Sequence, residues 1–134
     1  MKKTYHGSCH CGAVKFAADL DLAEGTGKCN CSICTKTRHW GITVRPDAFR
    51  LLSGADNLID YQFNSFSMHH PFCKTCGVRT FGHGDIPDLG GAFYSVRLAC
   101  LDDADPSELG SAPVRYFDGL NNNWEHTPAE TRHL

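Results

Sequence analysis

Seven of the eight cysteines fall into three tight clusters: Cys9-His10-Cys11-Gly12, Cys29-Asn30-Cys31-Ser32-Ile33-Cys34 and Cys73-Lys74-Thr75-Cys76-Gly77. No other feature restricts the possible folds as much, because thiols so close in sequence must be bridged, buried or bound to metal. Eight cysteines in 134 residues is sparser than the roughly 8–10% of disulfide scaffolds. In a reducing compartment, clustered thiols serve metals more often than bridges. Lys2 and Lys3 resemble the start of a secretion signal, but the polar stretch Thr4-Tyr5-His6-Gly7-Ser8 stands where its apolar core would have to be. Apolar runs are only a few residues long, far short of the roughly 20 that cross a bilayer. The expectation is a cytoplasmic protein with no membrane partner.

A length of 134 residues fits one domain, 1–134, and an apolar content of 41% is that of an ordinary globular chain. Net charge is −2 with scattered Lys and Arg; without a basic stripe, nucleic acid is not an expected partner. Short pieces rich in Val, Ile, Phe and Tyr, punctuated by Gly, Pro, Asp or Asn, predict strands at Ala13–Phe16, Trp40–Val44, Ile59–Phe63, Met68–Phe72, Ala92–Ala99 and Val114–Phe117. In Phe93-Tyr94-Ser95-Val96-Arg97-Leu98, Phe93 and Ser95 should face away from Tyr94, Val96 and Leu98. Long helical periodicity is absent. Single helical turns are expected at Pro46–Phe49 and Pro106–Leu109, the latter with Asp105 as N-cap and Pro106 at N1. The pattern is that of a small, mainly β fold with large loops.

The outer clusters each place two thiols one or two residues apart and follow the second with a Gly. Together Cys9, Cys11, Cys73 and Cys76 supply the tetrahedral sulfur set that zinc prefers, clipping an early strand to a late one. A Gly after each pair allows a positive φ and lets backbone N–H groups approach the sulfurs. Free core thiols or a disulfide are the alternative. The middle cluster, Cys29, Cys31 and Cys34, has no matching half-site. Three protein ligands with a vacant fourth position is the arrangement of a catalytic zinc; a closed site completed by Cys100 or a histidine is the other possibility. Cys100, in Leu98-Ala99-Cys100-Leu101, reads as a free thiol on a strand end entering the core.

Three thiolates leave Zn²⁺ at −1, so a bound water is acidified less than on a zinc held by histidines. Capture of an external thiol as its nucleophilic thiolate suits such a site better than hydrolysis. That ligand takes the site to −2, and Lys28, Lys36, Arg38 and His39 flank the cluster as candidate counter-charges. His69 and His70, on a probable strand, should point to opposite faces. Asp118-Gly119 and Asn121-Asn122-Asn123-Trp124 read as a turn and a loop anchored by Trp124, with no chemistry assigned.

The motifs Gly7–Val14, Cys29–Cys34 and Phe72–Gly77 stand in the order and approximate spacing of the glutathione-dependent formaldehyde-activating enzyme family, and the centromere protein V domain is similar. The resemblance runs from about Gly7 to Trp124. It implies a zinc-containing β-tent, with Cys9, Cys11, Cys73 and Cys76 matching structural zinc ligands and Cys29, Cys31 and Cys34 matching catalytic zinc ligands. It further implies a carbon–sulfur lyase or synthase that joins glutathione to formaldehyde, giving S-hydroxymethylglutathione. Where similar sequences often read Asp-Gly-Arg before Asp-Asn-Trp, this chain has Asp118-Gly119-Leu120 and Asn122-Asn123-Trp124. A non-catalytic zinc module, carrying glutathione or binding a protein, is the rival reading. Thiol redox catalysis would need an exposed, acidic Cys100, against which Leu98, Ala99 and Leu101 argue.

Overall fold

The computed structural model describes all residues from Met1 to Leu134. Ten strands form two sheets. The smaller contains β1 (Lys3–Ser8), β2 (Lys15–Leu20) and β5 (Phe49–Ser53) in the order β1-β2-β5. The larger adds β3 (Thr26–Cys29), β4 (Trp40–Val44), β6 (Leu58–Tyr61), β7 (Met68–Cys73), β8 (Phe81–Ile86), β9 (Gly91–Arg97) and β10 (Val114–Phe117). Its order is β10-β3-β4-β9-β8-β7-β6. All pairings are antiparallel except β10 with β3. Two short helices, α1 (Ser32–Thr37) and α2 (Pro106–Ser111), complete the fold, which is mainly β as expected.

All six predicted strands are present, β4 and β10 with the predicted bounds and the other four with shifted ends. The piece at Ala13–Phe16 begins later, at Lys15, because Cys9 donates its backbone N–H to the Val14 carbonyl and draws Ala13 and Val14 into a turn. The strand at Ala92–Ala99 stops at Arg97, and Leu98–Cys100 is a 3₁₀ turn rather than a strand end. Four strands were missed: β1, β3, β5 and β8. Their residues (Lys-Thr-Tyr-His-Gly-Ser, Thr-Gly-Lys-Cys and Phe-Gly-His-Gly-Asp-Ile among them) have weak β propensity, and the ladder partners supply what propensity does not. The turns at Pro46 and Pro106 form, but the Asp105 side chain makes no capping bond; only its extended backbone fits the N-cap role.

The sheets bury Phe16, Leu20, Phe49, Phe81, Val96 and Leu98 between them. Phe49 stacks on Tyr94 at 4.4 Å and meets Phe81 at 4.8 Å and Phe16 at 5.6 Å. Burying each such side chain contributes about 1.5–3 kcal/mol. The predicted alternation on β9 holds in register: Val96 lies opposite Phe81 and Tyr94 opposite His83, on one face. Phe93, on the other face, is also buried, so that end of the sheet is covered on both sides. No helix is long and apolar enough to cross a membrane.

Candidate metal centres

Two knuckles of different sequence spacing close in the same way. Cys9 N–H donates to Val14 O at 3.0 Å, and Cys73 N–H donates to Val78 O at 3.0 Å. Gly12 and Gly77 carry the reversal at φ 83° and 78°, the positive values their place after each thiol pair predicts. One knuckle follows the end of β1 and the other the end of β7, and the fold sets them face to face. The sulfur of Cys11 is 3.7 Å from that of Cys9 and 3.6 Å from that of Cys73, and all four sulfurs, Cys76 included, lie within 4.8 Å of one another. A tetrahedron with metal–sulfur bonds of about 2.3 Å has edges of about 3.8 Å, close to the two separations at Cys11, so the four donors are consistent with zinc. The sulfurs are already supported: Val14 N–H donates to Cys9 Sγ at 3.3 Å and Asn57 Nδ2 to Cys73 Sγ at 3.2 Å. Backbone N–H groups, that of Cys76 foremost, bring the Cys73 thiol down to about 6.

The middle cluster is built on the junction of β3 and α1. Cys29 is the last residue of β3, Cys31 is the N-cap of α1 and Cys34 lies in its first turn. α1 was not expected from the sequence; at six residues it is too short to show a helical period. The turn of chain brings the three sulfurs within 4.8 Å of one another. Cys31 Sγ makes no capping hydrogen bond, and Cys29 Sγ accepts from Cys31 N–H at 3.3 Å. Hydrogen bonding within the trio drives the Cys31 thiol down and the Cys34 thiol up. Such a set suits a soft divalent cation. Cys100 joins neither group: its Sγ donates to Arg79 O at 3.3 Å, and it is half-buried rather than buried.

The surroundings of the trio differ from those expected. Lys28 Nζ reaches Leu134 O at 3.2 Å, Arg38 Nη1 reaches His133 O at 3.4 Å, and Lys36 lies exposed on α1. Of the four flanking residues, His39 alone turns inward, its Nε2 3.1 Å from Ser95 Oγ. Burial, with Arg97 and Arg79 adding to it, pushes its imidazole down to about 4. Two cations distant in sequence interact electrostatically with Cys34: Arg79, which precedes β8, and Arg97, the last residue of β9. Arg97 Nη2 donates to Thr37 O at 2.7 Å and so holds the C-terminal end of α1. Arg79 Nη2 donates to Nδ1 of the buried His70 at 3.1 Å. His69, the neighbour, is half-exposed and bonded to Asp60, so the pair does split between faces.

The loop after β10 also belongs here, although its sequence suggested no chemistry. Asn30, between the first two thiols, donates Nδ2 to Asp118 Oδ1 at 2.9 Å and accepts at Oδ1 from Leu120 N–H at 2.9 Å. Gly119 is thereby pressed on the cluster: a Cβ there would stand 2.7 Å from Cys29 Sγ and 2.5 Å from the Trp124 ring. Trp124 is not the anchor. It is 51% exposed and leans on Gly119, while the buried Asn30–Asp118 pair holds the loop. With Leu120 at 67% exposure it forms an apolar lip beside the trio. The run Asn121-Asn122-Asn123 after Asp118 is the available signal, since such residues tie loops through side-chain amides.

A mainly β fold with one cluster of four thiols and one of three defines a class of cysteine-rich, metal-competent domains. The family profile of the glutathione-dependent formaldehyde-activating enzyme matches residues 4–116, and the chain belongs to that family. A protein of Halomonas elongata, described provisionally as a glutathione-dependent formaldehyde-activating enzyme, is 37% identical over 78 residues. That match takes in 52% of this chain and 50% of the relative, so the aligned part spans about half the length of each. The crystal structure of a Rhodobacter sphaeroides protein from a structural-genomics programme is 34% identical and superposes with a TM-score of 0.68. It covers 82% of this chain and 99% of its own.

Proposed function

We propose that this chain is a zinc-dependent carbon–sulfur lyase or synthase acting on the adduct of a thiol, glutathione or one like it, with a small aldehyde such as formaldehyde. The observation that carries the reading is the trio Cys29, Cys31 and Cys34, three sulfurs gathered with no fourth His, Cys, Asp or Glu donor among them. Cys9, Cys11, Cys73 and Cys76 would hold a structural zinc; Cys29, Cys31 and Cys34 would hold the reactive one. Bound there, zinc would supply an electrophilic anchor that keeps an incoming thiol ionised at neutral pH.

The remaining work falls to the chain. The R–SH sulfur forms a bond to the aldehyde carbon, the carbonyl π pair moves to oxygen, and the thiol proton ends on that oxygen, giving R–S–CH₂OH from formaldehyde; the reverse reaction breaks the same bond. Cys29, Cys31 and Cys34 orient the ion. Arg79 and Arg97 offset the negative charge of the thiolate set. Leu120 and Trp124 offer an apolar lip that would cover the organic part of the thiol and exclude water.

The family name supports glutathione and formaldehyde as substrates. Cobalt substitution tests the reading. The protein should take up two cobalt ions per chain, and added glutathione should shift the d–d bands of one of them. A single ion, or bands indifferent to thiol, would leave a structural zinc module that binds or carries without turnover.

A further inference from the structure

A cavity of about 450 Å³ lies apart from both thiol clusters and shares no residue with them. Strand register builds its floor. His69 of β7 stands opposite His83 of β8, and His83 stands opposite Tyr94 of β9. Asp85 follows His83 by two residues on β8, so its side chain leaves the sheet on the same face. Three neighbouring strands thus raise one row of polar tips. Ser95 and Arg97, which meet His39 and α1, leave β9 on the other face. Pro46 and the ring of Phe66 help to complete the lining.

The row is packed but not satisfied. The His83 imidazole is stacked on His69 at 4.4 Å and on Tyr94 at 5.4 Å. Asp60 holds Nδ1 of His69, and Gln62 Nε2 stands 3.5 Å from its Nε2. By contrast, no protein group hydrogen-bonds the His83 ring, the Tyr94 hydroxyl or the Asp85 carboxylate, and all three line the cavity. Beside them Phe66 is held at φ 58°, a left-handed value that strains a bulky residue, with 62% of its surface exposed. Gln62 Nε2 fixes that bend by donating to Phe66 O at 2.8 Å. A strained backbone that leaves an aromatic ring in solvent does little for folding; strain of this kind gathers at ligand sites.

We propose that this cavity is a second ligand site, for a flat heteroaromatic ring that carries an amino group and no negative charge. The site goes beyond the thiol–aldehyde chemistry and does not depend on it. Phe66 supplies a face on which a ring stacks. Asp85, the one carboxylate in the lining, accepts from the amino N–H and repels an anion. The Tyr94 hydroxyl and the His83 ring donate to ring nitrogens. No lysine or arginine lines the cavity, so an anionic thiol such as glutathione finds no fixed cation there. The volume lies within the roughly 300–1,000 Å³ of small-molecule pockets.

The test titrates the full chain as purified with adenine, which is flat, uncharged and amino-bearing, and with benzoate, which is flat and anionic. Backbone amide NMR shifts locate each probe. Adenine should bind saturably at millimolar concentration and move the amides of His83, Asp85 and Tyr94, while benzoate leaves them in place. Asp85→Ala should weaken adenine about ten-fold, the order of one hydrogen bond to a charged group. His83→Phe keeps a ring in the stack but removes its nitrogens, and should weaken adenine by a similar factor. Dispersed amide spectra report that each variant is folded; Asp85 is exposed, so its variant serves if that of His83 does not fold. Absence of saturable adenine binding, benzoate bound as well as adenine, or adenine affinity unchanged in a folded variant would overturn the proposal. None of these results bears on the thiol clusters, and a failure of the cobalt experiment leaves this site standing.

Discussion

Asn30 Nδ2 donates to Asp118 Oδ1 at 2.9 Å, joining the residue between two candidate ligands to a loop 88 positions away. Both side chains are buried, and Asn121 Nδ2 also donates to the two Asp118 oxygens at 3.1 and 3.0 Å. These amide donors, that of Asn30 foremost, hold the Asp118 carboxyl below its ordinary range. The latch positions Gly119 against Cys29, with the Trp124 ring packed on Gly119.

Asn30→Ala removes one donor from that buried carboxylate and should destabilise the loop by about 1–3 kcal/mol. Trp124 fluorescence should shift toward that of a solvated indole while the far-UV spectrum is unchanged. An unshifted emission maximum would show that the latch does not hold the loop.

Gly119→Ala tests the contact itself. The added methyl would stand 2.7 Å from Cys29 Sγ, so the sulfur or the loop must move. Metal content should fall from two ions per chain toward one. Retention of both ions, with the wild-type response to thiol, would mean that the loop yields instead.

Cys31→Ser and Cys76→Ser should differ in kind. The first removes a half-buried donor at the N-cap of a short helix and should cost one metal ion with the fold retained. The second breaks the knuckle pair that joins the ends of β1 and β7, whose Cys9 and Cys73 are buried, and should unfold the domain. Thermal denaturation with parallel metal analysis separates the two; equal melting temperatures would remove the division between a structural and a reactive site.

Arg97→Met should loosen α1. Its guanidinium donates to the Thr37 carbonyl at 2.7 Å, and a charged bond of this kind contributes about 1.5–3 kcal/mol. Fraying of α1 should displace Cys34, so a chelator should strip the first ion sooner than from wild type and the second at an unchanged rate. Parallel acceleration of both steps would argue against a local role.

His39 gives stability a defined pH dependence. Burial, then Arg97 and Arg79, depress its imidazole from 6.5 to about 4. Between those values the unfolded chain binds a proton that the folded chain refuses. The contribution is whole above pH 6.5 and is lost as pH falls toward 4, at up to about 1.4 kcal/mol per pH unit. His70, lowered by burial and Arg79, acts in the same direction. His39→Gln should flatten the decline in urea midpoint between pH 7 and pH 5. Metal release is common to both proteins and cancels in the comparison; identical slopes would exclude His39.

Most of the candidate site could be read from the chain alone, because metal-competent cysteines are clustered by local geometry. A pair one or two residues apart, followed by a glycine, can close a knuckle whatever surrounds it, and Gly12 and Gly77 do so at the expected positive φ. The strands of β4, β7, β9 and β10 were legible for a similar reason: their Val, Ile, Phe and Tyr residues favour a pleated, half-buried surface on their own. Tertiary structure decided the rest. It alone brings Cys9 and Cys11 to Cys73 and Cys76, makes strands of Thr26–Cys29 and Phe81–Ile86 by giving them neighbours, and sets Arg97 of β9 against the C-terminal end of α1. Adjacency in sequence does not determine where a long, flexible cation ends; the partners it finds in the fold do, as the Thr37 carbonyl does for the half-buried Arg97.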